Sequence, residues 1–326
     1  TTAADARKQA WTSYWAGGAL HSCAGSFAGN YSGAIGDFWR KVFQGLEEPG
    51  RVLDLATGNG ALPLLLWEQR GENAGVQIDA VDLAAVVPPW YQPSQHRGVE
   101  FHGGVAMEKL PFPDDTFDLV VSQFGLEYAR WPDALHECLR VAAADGRVAF
   151  IMHHADSLLV QLGRVELENQ HLLLAEAGLL DAAERVIPWI ALAREGGAGL
   201  DGAPEARMAR VGYNDAMTNV STAIEQSRAP DLLVETRAWV HALVSGADGM
   251  DARQQGAALS TRRETMRAAM LRTHELVEHA LQQEQLDELV KVVRQRWPSH
   301  MIDCGPITQE EGLLGWGIVA APSSHS

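Results

Sequence analysis

Three cysteines, a deficit of basic residues and no long apolar run set the first limits on this chain. Cys23, Cys138 and Cys304 lie far apart, and no Cys-X-X-Cys pair joins them. That spacing argues against a zinc site or a disulfide framework and makes a reducing, cytoplasmic setting the expectation. No apolar run approaches the ~20 residues that a membrane-spanning helix needs, so no membrane partner is expected. No basic region followed by an apolar stretch opens the sequence at Thr1, so no secretory signal is expected. Only 26 Lys and Arg stand against 42 Asp and Glu, a formal net charge of -16. Such a surface repels polyanions, and its basic patches are as short as Arg262-Arg263. Nucleic acid is not an expected partner; a small molecule is.

What is present is enough apolar residue for a real core, 46% of 326 positions. The length suits one large domain or a core with a substantial extension. Val52, Leu53 and Leu55 form a short strand interrupted by Asp54, and Ala56-Thr57-Gly58-Asn59-Gly60 follows as a turn. The two glycines allow tight turning and close approach of a ligand, and a helix is expected from Ala61, with Pro63 in its first turn. Further strands are expected at Val76–Asp82, Val99–His102, Phe117–Ser122 and Arg147–His153, with a helix starting near Trp131. Apolar strands alternating with helices imply a parallel sheet covered on both faces, with ligands at the carboxyl ends of its strands. That rule gathers Asp54, Asp82, Gln123 and His153 on one rim.

A Gly-X-Gly turn alone also suits a dinucleotide-binding domain, but the third glycine of that fingerprint falls at Pro63. The run Leu110-Pro111-Phe112-Pro113-Asp114-Asp115-Thr116-Phe117-Asp118-Leu119-Val120-Val121 is more specific. Together with Asp54–Gly60 it closely resembles class I S-adenosylmethionine-dependent methyltransferases of the small-molecule type. The resemblance covers roughly residues 50 to 155 and the last 25. It implies S-adenosylmethionine as cofactor, held by Asp54, Ala56, Thr57, Gly58, Asn59 and Gly60 at its amino-acid end. It further implies Asp82 on the ribose hydroxyls, Leu83 against the adenine, and Ala106, Met107 and Gln123 in the same pocket. Where the family often has Asp to bind the adenine amino group, this chain has Ala106. The polar contact there would pass to backbone at Ala106 and Met107, to Glu108 or to a water.

The implied fold is α/β, a Rossmann-like seven-stranded, mostly parallel sheet with an N-terminal helical lid and a large helical insertion after the fifth strand. Residues 1–46 would be the lid, 47–154 with 299–322 the cofactor-binding core, and 155–298 the insertion. The insertion would cap the substrate pocket, form a homodimer interface, or both, and its last helix is expected to run unbroken from Thr261 to Trp297. Trp11, Tyr14 and Trp15 share a helical face in the lid, ahead of the loop Gly17–Ser26. Trp15, His21, Phe124, Glu127 and Tyr128 are the expected substrate contacts.

Methyl transfer from a sulfonium is an in-line displacement that needs positioning and, for a hydroxyl acceptor, a base. No metal is expected: the adjacent His153 and His154 cannot both face one site from an extended strand. His153, at the end of the fifth strand, is the first candidate for general base. The expected activity is methyl transfer to oxygen or nitrogen of a small molecule. A nicotinamide-dependent oxidoreductase and a non-catalytic S-adenosylmethionine-binding protein are the alternatives.

Overall fold

The structure is a computed structural model that describes residues 3–22, 29–71, 75–196, 203–246, 249–310 and 312–323. Residues 23–26 of the Gly17–Ser26 loop, Cys23 among them, lie outside the described residues. The chain divides into two compact units, Thr1–Val160 with Glu275–Ser326, and Gln161–His274.

The first unit carries a seven-stranded sheet in the order β3-β2-β1-β4-β5-β7-β6. Its strands are β1 Gly50–Leu55, β2 Val76–Asp82, β3 Val99–Gly103, β4 Phe117–Gln123, β5 Ala142–Met152, β6 His300–Gln309 and β7 Gly312–Pro322. β1 to β5 run parallel, while β7 is antiparallel to β5 and β6 antiparallel to β7. β1, β2, β4 and the second half of β5 are largely buried on both faces, which explains their near-continuous apolar runs, whereas the edge strand β3 is half-exposed. On one face α2 Gly33–Gln44 and α3 Ala61–Arg70 pack Trp39, Phe43, Leu62 and Leu66 onto Val52, Ile78 and Val121. On the other, α4 Trp131–Val141 and α10 Gln283–Arg296 pack Leu135, Leu139, Leu289 and Val293 onto Leu53, Val120 and Phe150. No helix lies between β2 and β3, in line with the Pro88-Pro89 pair that a helix interior would not accept. The remaining N-terminal helix of the unit is α1, Ala3–Ala16.

The helix expected over Thr261–Trp297 is in fact two. α9 spans Ala252–His279, the chain then breaks at Ala280–Gln282, and α10 resumes at Gln283. The break is held by the sheet. Leu281 forms a parallel bridge with His154, its N–H donating to the His153 carbonyl at 2.8 Å and its carbonyl accepting from Ala155 N–H at 3.0 Å. The Trp316 indole N–H donates to the same carbonyl at 3.0 Å. Three hydrogen bonds and a buried Leu281 outweigh the local helix propensity of this stretch. A capping box at Gln282 and Gln285 then restarts the helix. α10 is strongly two-faced, and its apolar stripe covers the sheet, so it belongs to the sheet-bearing unit.

The second unit is all helix. It comprises α6 Leu179–Arg194, α7 Pro204–Gln226, α8 Asp231–Ser245 and the portions of α5 Leu158–Leu174 and α9 within Gln161–His274. Leu180, Val186, Val220, Leu243, Leu259 and Met266 form its core. Among the described residues, no helix is long and apolar enough to cross a membrane.

Leu289 is 1% exposed in the cluster beneath the sheet. Leu289→Ala should lower unfolding free energy by about 2–5 kcal/mol, the usual cost of a buried leucine truncation. Urea denaturation followed by circular dichroism measures it; a change under about 1 kcal/mol would show that α10 does not close the core.

Candidate active site

The chain leaves β1 through a strained turn. Ala56, Gly58 and Gly60 take left-handed φ values of 54°, 53° and 73°, conformations that cost a non-glycine residue about 1–3 kcal/mol. The turn is tied to the end of β2: Thr57 N–H donates to the Val81 carbonyl at 3.0 Å. Asp82 completes the tie, one carboxylate oxygen accepting from Gly58 N–H at 2.8 Å and the other from Ala84 N–H at 2.7 Å. Phe124, just past β4, is also left-handed, at φ 51°. Next to it, a Cβ on Gly125 would lie 2.5 Å from the Ala56 Cβ, so the turns after β1 and β4 abut and only glycine fits between them.

These turns, α1 and the loop after β3 enclose a cavity of about 940 Å³, counted with its open mouth. Of the residues singled out from the sequence, Trp15, His21, Asp54, Ala56, Thr57, Asp82, Leu83, Ala106, Met107, Gln123, Phe124 and Tyr128 line it. Gly58, Asn59, Gly60, Glu127 and His153 do not line it. Gly58 lies under the Trp15 ring, which a Cβ there would meet at 2.5 Å. Asn59 instead holds the end of α1 and the segment after it, its side-chain amide donating to the carbonyls of Trp15 and Ala19 at 2.8 Å each. Gly60 gives room to Phe101 and Trp90.

His153 stands behind the wall of this cavity. Its ring stacks on Phe124 with centroids 4.0 Å apart, and Phe124 is the residue that faces the cavity. Its Nδ1 lies 2.7 Å from Glu127 Oε1, which also accepts the His153 N–H at 2.8 Å. A carboxylate only accepts, so Nδ1 carries the proton. The rim rule correctly put His153 at a strand end but could not tell which way its ring turns. The imidazole on the cavity is that of His21, stacked on Tyr31 at 4.4 Å.

Arg7, Trp11, Tyr31, Val105 and Glu108 line the cavity as well; of these, Trp11 carried the helical spacing it shares with Trp15, and Glu108 its place two residues after Ala106. Arg7 fastens α1, its Nε donating to Glu275 Oε1 at 2.5 Å and its guanidinium to the Tyr128 carbonyl at 3.1 Å. Among the described residues one group, Asp79, Glu100 and His102, has ligand atoms close enough for a metal ion. The Asp79 oxygens there are engaged by His102 Nε2 at 2.9 Å and Arg51 at 3.1 Å.

Asp54 and Asp82 are 2% and 8% exposed. Burial pushes the Asp54 carboxyl up to about 8; the nearby Thr57 hydroxyl lowers it in part, and the Asp82 charge raises it. Burial also pushes Asp82 up to about 6, against the lowering effect of the Ala84 and Gly58 amides. Asp54 Oδ2 and Gln123 Nε2 are buried without a hydrogen-bond partner. A carboxyl oxygen and an amide donor left unpaired beside a cavity suit a ligand that carries polar groups.

Residues 53–150 match the methyltransferase domain family. Over 123 residues the chain is 38% identical to a demethylmenaquinone methyltransferase of Thermus thermophilus, covering 35% of this chain and 53% of that one. Over 119 residues it is 35% identical to a malonyl-[acyl-carrier protein] O-methyltransferase of Halorhodospira halophila, covering 34% and 37%. Residues 53–150 are thus a methyltransferase domain, similar in sequence to S-adenosylmethionine-dependent methyltransferases. A solved S-adenosylmethionine-dependent methyltransferase from Aquifex aeolicus is similar to part of it, with 28% identity, a TM-score of 0.33 and coverage of 37% of this chain and 65% of that one. The chain spans about half or less of the two curated relatives, so their likeness is a likeness of the core.

Within this methyltransferase core, the stretch that carried the family resemblance is a scaffold. Arg140 of α4 donates to the carbonyls of Phe112 at 2.9 Å and Leu110 at 3.2 Å, and to Asp114 Oδ1 at 2.8 Å. Glu137 pairs with Arg140 and accepts Leu110 N–H at 2.8 Å. This folds the loop so that its upstream end, Val105 to Glu108, meets the cavity.

A carboxyl raised on folding holds a proton that the unfolded chain has released, so stability falls as pH rises between the two pKa values. For Asp54 that window runs from its ordinary 3.8 to about 8. The Tm measured without ligand should therefore fall between pH 6.5 and 8 by several degrees more in the unaltered protein than in Asp54→Asn. Equal slopes in calorimetric scans would show that Asp54 is ionised throughout.

Proposed function

We propose that the chain is an S-adenosylmethionine-dependent methyltransferase acting on oxygen or nitrogen of a small, partly apolar acceptor. The observation that carries this reading is the convergence of Asp54, Asp82 and Met107 on one cavity in a class I methyltransferase core. When bound, the cofactor supplies an activated methyl group on sulfur for in-line displacement. Asp82 would accept from the ribose hydroxyls through lone pairs not used by Gly58 and Ala84. Leu83, 37% exposed, offers an apolar surface for the adenine face, with Met107 beside it. Glu108, at the same edge, accepts Arg130 N–H at 3.0 Å and is the polar group nearest in sequence to Ala106.

Trp11, Trp15, Phe124 and Tyr128 supply broad aromatic surface for an acceptor, and such rings favour flat, apolar partners. His21 is the imidazole placed to take a proton from an acceptor hydroxyl. The acceptors in the two relatives' names, demethylmenaquinone and malonyl-[acyl-carrier protein], already differ. A shared core would thus hold the donor, with flanking segments choosing the acceptor. A nicotinamide-dependent oxidoreductase fits less well. Pro63 stands where its third glycine belongs, and the antiparallel β6–β7 edge departs from the parallel dinucleotide sheet.

Isothermal titration should give saturable binding of both S-adenosylmethionine and S-adenosylhomocysteine. Asp82→Ala should weaken each by removing charge-assisted hydrogen bonds, roughly 1.5–3 kcal/mol, or about 10- to 150-fold in Kd. Binding of neither ligand to the unaltered protein contradicts the proposal.

A further inference from the structure

Arg7, Trp11 and Trp15 recur every fourth residue along α1, and all three line the cavity. Four residues of helix advance about 6 Å, so these side chains form one stripe, with Arg7 about 12 Å along the axis from Trp15. The Trp11 ring stacks on Trp15 at 5.8 Å and meets the Tyr128 ring edge-on at 6.0 Å. A guanidinium therefore ends an aromatic row. Among the described residues that line the cavity, Arg7 is the one Lys or Arg, in a chain whose formal net charge is -16.

Fastening α1 uses only part of this side chain. Nε donates to Glu275 Oε1 at 2.5 Å, Nη1 donates to the Tyr128 carbonyl at 3.1 Å, and His279 Nε2 lies 3.4 Å from Nη2. A guanidinium carries five N–H donors, one on Nε and two on each terminal nitrogen. Tyr128 takes one from Nη1, and His279 takes at most one from Nη2. One donor on each terminal nitrogen is left. Such a pair is the fork that meets the two oxygens of a carboxylate. Glu275, 5% exposed, holds the Nε edge, so the fork is fixed in place. The cavity's own Asp82 and Glu108 accept from backbone amides instead, Asp82 from Gly58 and Ala84 and Glu108 from Arg130.

Resting on the methyltransferase reading, we infer that the acceptor carries a carboxylate, bound by the two remaining donors of Arg7 while its apolar body lies along Trp11 and Tyr128. The stripe gives the acceptor a direction. Its anionic end sits toward the N-terminal end of α1, and the rest extends toward Trp15, which covers the turn after β1 at Gly58. Arg7 selects the acceptor and takes no part in the displacement. It lies in the N-terminal segment outside the family match at residues 53–150, where proteins that share a core are free to differ.

Isothermal titration of the protein saturated with S-adenosylhomocysteine compares 2-naphthoate with 2-naphthamide, a neutral probe of the same shape. The unaltered protein should bind 2-naphthoate about tenfold more tightly. Arg7→Gln should abolish that preference and leave 2-naphthamide within about twofold of its original affinity. Arg7→Lys keeps a cation within reach of Glu275 but lacks the fork, and should lose most of the preference; it carries the test if thermal scans show that Arg7→Gln does not fold. Equal losses for both probes would make Arg7 a fastener of α1 alone and overturn the inference. An unaltered protein that binds neither probe, or binds both equally, overturns it as well. Failure of the unaltered protein to take up S-adenosylhomocysteine overturns the methyltransferase reading instead, and the two probes titrated without it then still decide whether Arg7 reads an anion.

Discussion

The carboxylate of Asp82 is the interaction on which the site depends. It sits at the end of β2, almost sealed from water, and spends both oxygens on backbone amides, Gly58 in the turn after β1 and Ala84 in its own chain. Burying a charge is expensive unless such donors receive it. Here they fasten two parallel strand ends to each other, and they do so through a turn whose left-handed residues would not hold their shape unaided. Once the turn is fixed, Gly125 can seat against Ala56 and the end of β4 is fixed too. The rim of the sheet becomes one rigid ledge carrying Asp54, Asp82 and Gln123.

The same turn also governs the N-terminal segment. Gly58 leaves just enough room for Trp15, and the Asn59 amide holds the carbonyls of Trp15 and Ala19. The other end of α1 is fastened through Arg7 to Glu275, and to the carbonyl of Tyr128, itself a cavity residue. α1 is therefore a wall tied at both ends. The turn that approaches the ligand and the helix that covers it form one mechanical unit, so a change at Asn59 or Gly58 acts on the aromatic face as well as on the turn.

Much of the fold was legible because strand-end carboxylates and apolar runs are local signals. Asp54 and Asp82 announced where β1 and β2 end, and Pro88-Pro89 excludes a long helix between β2 and β3. The family run Leu110–Val121 was also legible, although its specificity is that of a loop wrapped on Arg140 rather than of ligand contacts. What stayed hidden depended on distant partners. The break at Leu281 is written in hydrogen bonds to His153 and Ala155 and in the indole of Trp316, none of which a helical period reveals. The ring of His153 turns toward Glu127 because a carboxylate waits there, 26 residues earlier in sequence. Arg7 carried no signal at all, since its role exists only once Glu275 is beside it. Gln123 was placed on the rim by sequence, but its side-chain oxygen accepts from the indole N–H of Trp39, whose spacing says only that it is core.

The central claim is that the ledge of Asp54, Asp82 and Gln123, covered by α1, is the binding place of the methyl donor. A crystal structure of the protein grown with S-adenosylhomocysteine tests it most directly. The account predicts the ribose at Asp82, the adenine against Leu83 and Met107, and the sulfur facing the side of the cavity lined by Trp11, Phe124 and Tyr128. Density for the ligand outside this cavity, or its nucleoside lying over β4 instead of β2, would contradict it.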